Sequence, residues 1–218
     1  MKTEEEYFAK RDSDVMSSFG DKELQTICEQ ISNRRIFKDK GTKIRVLDIG
    51  CGSGMSMIRM QNEFLHLENV TGVDISPLAI KIAKKRNLNC QVGDAEDLKD
   101  FKDDSFDVVY GQHILEHVDP VKALNEAIRL AKKSIFIFPV DEPKDSEEEK
   151  EDFKFENERQ KSLFHSEPIT EEKLLKILRK VPNERHKIEK NVITYIKGGQ
   201  KYQNYMLILY RDKVKRKK

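Results

Sequence analysis

Glycines alternate at Gly50, Gly52 and Gly54, and an acid, Asp48, stands two residues before the first of them. Glycine lets the chain turn sharply and lets a ligand lie against bare amides. Acids recur downstream. Asp74 follows the glycines by about twenty residues, the separation expected of a carboxylate that accepts from both hydroxyls of a ribose. Asp94 can accept from an adenine amino group while the amide of Ala95 donates to a ring nitrogen, and Ile75 offers the base an apolar face. The alternatives are a helix-end acid for Asp74, a turn acid for Asp94 and a core residue for Ile75. His113 and His165 are the side chains suited to take a proton from an acceptor, with a structural role as the alternative for each. His117 reads as a packing or loop residue. These histidines and Asp119 do not form a recognised metal set, so no catalytic metal is expected.

The glycine spacing narrows the chemistry. The dinucleotide fingerprint is G-x-G-x-x-G, whereas this loop reads G-x-G-x-G, which argues against a nicotinamide dehydrogenase. The chain contains no G-x-x-x-x-G-K-[ST], so a phosphate-gripping loop of that type is excluded.

Positioning these residues requires strands that end at them. Residues 44–49 form a short, branched, apolar run, a buried strand, and Met55, Ile58 and Met60 open a helix behind the glycines. A second strand over 69–73 ends on Asp74. Ser76 then caps a helix that Pro77 begins, with Leu78, Ala79, Ile82 and Ala83 on one face. A short third strand, 89–92, precedes Asp94, and 99–105 is a mostly polar loop. The fourth strand, 106–110, is left through Gly111, Gln112 and His113. Asp119 and Pro120 repeat the cap-plus-proline start, with Val121, Leu124, Ile128 and Ala131 as the helical stripe. The fifth strand, 135–138, is apolar throughout and so expected at the centre of the sheet. A last helix is capped by Thr170, and strands over 188–196 and 203–211 flank Gly198-Gly199 as a hairpin. The expectation is five β–α units, parallel through right-handed crossovers with helices on both faces, then an antiparallel hairpin. The pattern does not give the strand order. The organisation is an N-terminal helical cap at 1–43, a core at 44–139 and a charged lid or insertion at 140–168. A helix and hairpin at 169–212 complete the same domain, and 213–218 is a basic tail.

Asp48-x-Gly50-x-Gly52-x-Gly54 after a strand resembles the first motif of the class I S-adenosylmethionine-dependent methyltransferases. Gly93-Asp94-Ala95-Glu96 resembles their third motif. Ser105 to Val109 followed by Leu115-Glu116-His117-Val118 resembles the fourth motif of the type 11 methyltransferase domain, a segment that borders the methionine part of the cofactor. The resemblance runs over roughly residues 44–139. It implies a Rossmann-like seven-stranded sheet closing on the hairpin, with S-adenosyl-L-methionine as cofactor and S-adenosyl-L-homocysteine as product. It places cofactor contacts at Asp48, Gly50, Gly52, Gly54, Asp74, Ile75, Asp94, Ala95 and Gln112. The chemistry it implies is in-line transfer of a sulfonium methyl, with His113, then His165, as base where the acceptor holds its proton.

Composition bounds the partners. The chain has 218 residues, 37% hydrophobic and 37% charged, which suits one domain with a substantial core and a charged, soluble surface. It opens on no apolar leader and holds no run of membrane-spanning length. Cys28, Cys51 and Cys90 lie far apart and read as reduced residues of a cytoplasmic protein. The net charge of +2 is smaller than the five basic residues of 213–218, so the remainder is slightly acidic. An acidic lid favours neutral or cationic acceptors over polyanions. The expected function is methyl transfer to a small molecule. An RNA or protein acceptor met by the basic tail, and a noncatalytic cofactor-binding partner protein, are the alternatives. The sequence does not indicate an oligomeric state.

Overall fold

A computed structural model describes residues 6, 26, 27, 29, 44–63, 67–139, 169–181, 186–197 and 200–211. The rest of the expected cap, the lid with His165, Gly198-Gly199 and the basic tail lie outside the described residues. The elements are β1 Ile44–Ile49, α1 Met55–Glu63, β2 Leu67–Asp74, α2 Pro77–Lys85, β3 Cys90–Val92, β4 Phe106–Gln112, α3 Pro120–Leu130, β5 Ala131–Pro139, α4 Glu171–Lys180, β6 His186–Lys197 and β7 Gln200–Arg211.

The helix starts follow from their caps. Ser76 accepts from the Ala79 amide, Asp119 from the Val121 and Lys122 amides, and Thr170 from the Lys173 amide. Each cap satisfies donors that the first helical turn leaves without partners, and Pro77 and Pro120 supply a preset φ where no amide is needed. At the other end of α3 the expected stripe runs one residue too far. Ala131 adopts φ −139° and starts β5, paired with Phe106, instead of closing the helix.

Seven strands form one sheet in the order β3-β2-β1-β4-β5-β7-β6. β1 through β5 run parallel to one another, β7 runs antiparallel to β5, and β6 antiparallel to β7. One expected unit is missing its helix: β3 and β4 are joined by turns across 93–105, which still bury Ala95 and Leu98 in the core.

Alternation along the strands sorts the core into two layers. Val46, Val70, Val108, Tyr110, Ile135, Ile137, Met206 and Ile208 face Met57 and Met60 of α1 and Ile80 and Ala83 of α2. Leu47, Ile49, Val109, Phe136, Phe138, Leu207 and Leu209 face Leu124 and Ala127 of α3 and Leu174 and Ile177 of α4. Ile27, helical and 1% exposed, joins the α1/α2 layer. Strands covered on both faces read as continuous apolar runs, which is why β5 does.

Candidate active site

The register aligns the carboxyl ends of four strands. Ile49 of β1 stands beside Val73 of β2 and Gly111 of β4, and Asp74 stands beside Val92 of β3. The segments leaving these ends therefore converge: the glycine loop, Ile75-Ser76, Gly93-Asp94 and Gln112-His113. The strand order reverses here, with β2 on one side of β1 and β4 on the other, which is where open α/β sheets bind ligands.

The glycine loop is held from below and from the side. Gly50 and Cys51 both donate to the Val73 carbonyl, at 2.8 and 3.0 Å. Gly50, Gly52 and Gly54 all adopt positive φ, at 73°, 53° and 89°. At Gly54 the packing adds a second reason for glycine, since a Cβ would lie 2.1 Å from Leu88 Cδ1. Arg86, at the end of α2, donates to the Ser53 carbonyl at 2.8 Å. Neither Arg86 nor Leu88 stands out in the sequence, because nothing in the local pattern ties a helix C-terminus to a loop about thirty residues earlier.

Asp74 joins the segments. Its Oδ2 accepts from the Gly52 amide at 2.8 Å, its Oδ1 from the Ser76 amide at 2.9 Å, and its carbonyl from the Gly93 amide at 3.0 Å. Asp48 is 1% exposed and accepts from Ser56 Oγ at 2.6 Å, so it braces the start of α1 from inside the sheet. Ile75 is half-buried. Asp94 Oδ1 accepts from the Glu96 amide at 3.0 Å, closing a tight turn that buries Ala95. Gln112 Oε1 accepts from the Tyr110 hydroxyl at 2.8 Å. Cys51 lies within the loop but is no nucleophile: burial, then Asp48 and Asp74, push its thiol far above the ordinary range.

His113 stands one residue past β4 with φ 53°, its amide donating to the Ile137 carbonyl at 2.8 Å. Its Nδ1 lies 3.3 Å from Glu116 Oε1. His165 lies outside the described residues. Among the described residues no group of three or more His, Cys, Asp or Glu side chains is placed to hold a metal ion.

The residues at this junction suit a nucleoside ligand. Left-handed glycines present bare backbone, Asp74 follows them at about the sequence separation of a ribose-binding acid, and the half-buried Ile75 comes next in the chain. A carboxylate has about four lone-pair sites, so Asp74 can hold two amides and still accept from hydroxyls.

A family model, the methyltransferase domain, matches residues 47–138. The ubiquinone biosynthesis O-methyltransferase of Alkalilimnicola ehrlichii is 36% identical over 95 residues, 40% of this chain and 37% of that protein. The demethylmenaquinone methyltransferase of Leptospira interrogans is 33% identical over 108 residues, 45% of this chain and 43% of that protein. The matches thus span about two fifths of the length of these relatives. Among solved structures, an S-adenosylmethionine-dependent methyltransferase from Thermotoga maritima superposes with a TM-score of 0.62 at 22% identity, covering 96% of this chain and 97% of that one. The plantazolicin methyltransferase BamL, in complex with S-adenosylhomocysteine, superposes with a TM-score of 0.66 at 18% identity, covering 96% and 91%. The strand order and hairpin match the fold of these solved structures, and residues 47–138 match the model of the methyltransferase domain.

Proposed function

We propose that the protein binds S-adenosylmethionine across the carboxyl ends of β1, β2 and β3 and transfers its methyl group to a small-molecule acceptor in the cytoplasm. The observation that carries this reading is the Asp74 carboxylate, which ties the Gly52 and Ser76 amides together beside three left-handed glycines. On this reading Asp74 accepts from the ribose hydroxyls. Ile75 lies against the adenine. Asp94 and the Ala95 amide meet the base edge, and Gln112 borders the methionine part. Asp48 acts through Ser56, keeping the loop in register. When bound, the cofactor supplies an electrophilic methyl group. The protein's part is to orient acceptor and methyl in line and to exclude water. His113 holds the proton of an acceptor that must lose one.

The small-molecule class is supported by the two relatives, a ubiquinone biosynthesis O-methyltransferase and a demethylmenaquinone methyltransferase. The cytoplasmic placement is supported by free, buried Cys51 and Cys90. No described helix is long and apolar enough to cross a membrane. Calorimetry with S-adenosylmethionine and S-adenosylhomocysteine tests the cofactor. A folded protein that binds neither refutes the reading. Transfer of a labelled methyl group to any acceptor separates an enzyme from a noncatalytic binding protein.

A further inference from the structure

Glu116 has no role in the site as described, yet its placement is unusual. Its side chain is 6% exposed, Oε1 lies 3.3 Å from His113 Nδ1, and Oε2 is buried without a hydrogen-bond partner among the described residues. Burying an unsatisfied carboxylate oxygen is costly and calls for a compensating use. Its neighbour is unusual too. His113 is a non-glycine residue held at φ 53°, pinned to β5 through the Ile137 carbonyl. Left-handed non-glycine residues concentrate at functional sites. A tight turn, closed by the His117 amide on the Ile114 carbonyl, brings the two side chains together. The His113 side chain is 29% exposed, so part of it meets solvent.

A carboxylate only accepts hydrogen bonds, so the imidazole nitrogen facing it must carry the proton. We propose that Glu116 is a positioning residue that holds His113 as its Nδ1–H tautomer, so that Nε2 takes the proton of a hydroxyl-bearing methyl acceptor. The proposal rests on the reading of the site given above, and it names the acceptor class. A hydroxyl is a weak nucleophile until its proton leaves, whereas a neutral amine attacks without prior deprotonation. The acceptor O–H bond breaks, with its proton passing to Nε2. The oxygen forms the new O–CH3 bond, and the S–CH3 bond breaks with its electron pair remaining on sulfur. The imidazolium formed returns its proton to water. The products are the methyl ether, S-adenosylhomocysteine and one proton.

Long-range 15N–1H NMR of the full chain, at a pH where His113 is neutral, reads the tautomer directly. Wild type should show a protonated Nδ1 and an unprotonated Nε2. Glu116→Gln, whose amide oxygen can still accept, should keep that pattern. Glu116→Ala should shift toward the Nε2–H form. A wild-type Nε2–H tautomer, or a folded Glu116→Ala with an unchanged pattern, overturns the proposal. With catechol as the probe acceptor at saturating S-adenosylmethionine, Glu116→Ala should lower kcat by about tenfold or more with little change in KM. Methylation of benzylamine but not of catechol, insensitive to His113→Ala, overturns the hydroxyl assignment. Calorimetry on the wild type tests cofactor binding separately, so a failure there is distinguishable from a wrong tautomer.

Discussion

At the scale of single residues, the proposed site gives Asp74 two jobs that the sequence presented as rivals. As a helix-end acid it would affect stability alone, and as a ligand acid affinity alone. Its oxygens hold amides from two different loops, so both should change together. Hydrogen bonds to a charged group contribute roughly 1.5–3 kcal/mol each, so Asp74→Ala should weaken S-adenosylmethionine binding about tenfold or more. The same variant should melt several degrees lower. Calorimetry and a melting curve on one preparation check this, and unchanged affinity would remove Asp74 from the ligand site. Gly52→Val tests the loop from the other side. A β-branched residue is a poor fit at φ 53°, and its side chain would stand where the loop presents bare backbone. Cofactor binding should be lost while the rest of the sheet stays folded, measured by calorimetry beside circular dichroism.

Among the elements, the helix-free crossover between β3 and β4 depends on a side chain. Arg129 of α3 donates to the Leu98 and Phe101 carbonyls at 2.9 and 2.8 Å and to Asp103 at 2.8 Å, and pairs with Glu126 at 2.7 Å. Glu126 in turn accepts from the Leu98 amide at 2.8 Å. Arg129→Met should cost about 2–3 kcal/mol, because it strands two carbonyls and a carboxylate together. The Arg129 guanidinium also holds the Glu126 carboxyl below its usual range, outweighing the effect of burial. A depressed folded-state value adds stability above the unfolded value, about 4.3, and that stability is lost as pH falls through the folded one. Glu126→Gln should therefore flatten the acid side of the stability profile, which urea unfolding at stepped pH would show. This crossover marks the limit of legibility. Cap residues and apolar runs put every described helix start within reach of the sequence, since those signals are local. Arg129 reaches back about thirty residues to a loop it cannot be paired with by pattern. Glu116 stood in plain view in Leu115-Glu116-His117, but its value lies in an i,i+3 turn that only the fold closes. The same holds for the glycine loop: its spacing could be read, while the Arg86 and Leu88 contacts that fix its shape could not.

For the molecule as a whole, the strand made last is not the strand placed last. β7 lies between β5 and β6, pairing Phe138 with Tyr205 and Ile137 with Met206 across more than sixty residues of chain. During synthesis, β5 has therefore been made long before its neighbour exists. Until residues 200–211 emerge from the ribosome, Ile135 to Phe138 form an open apolar edge, and β6 has no strand to join. Such edges invite pairing with other chains. A nascent chain arrested at Lys197 should bind chaperones or sediment as aggregate, whereas one arrested well beyond Arg211 should resist protease across β4 and β5. Equal protease resistance at the two arrest points would show that the sheet does not wait for its final strand.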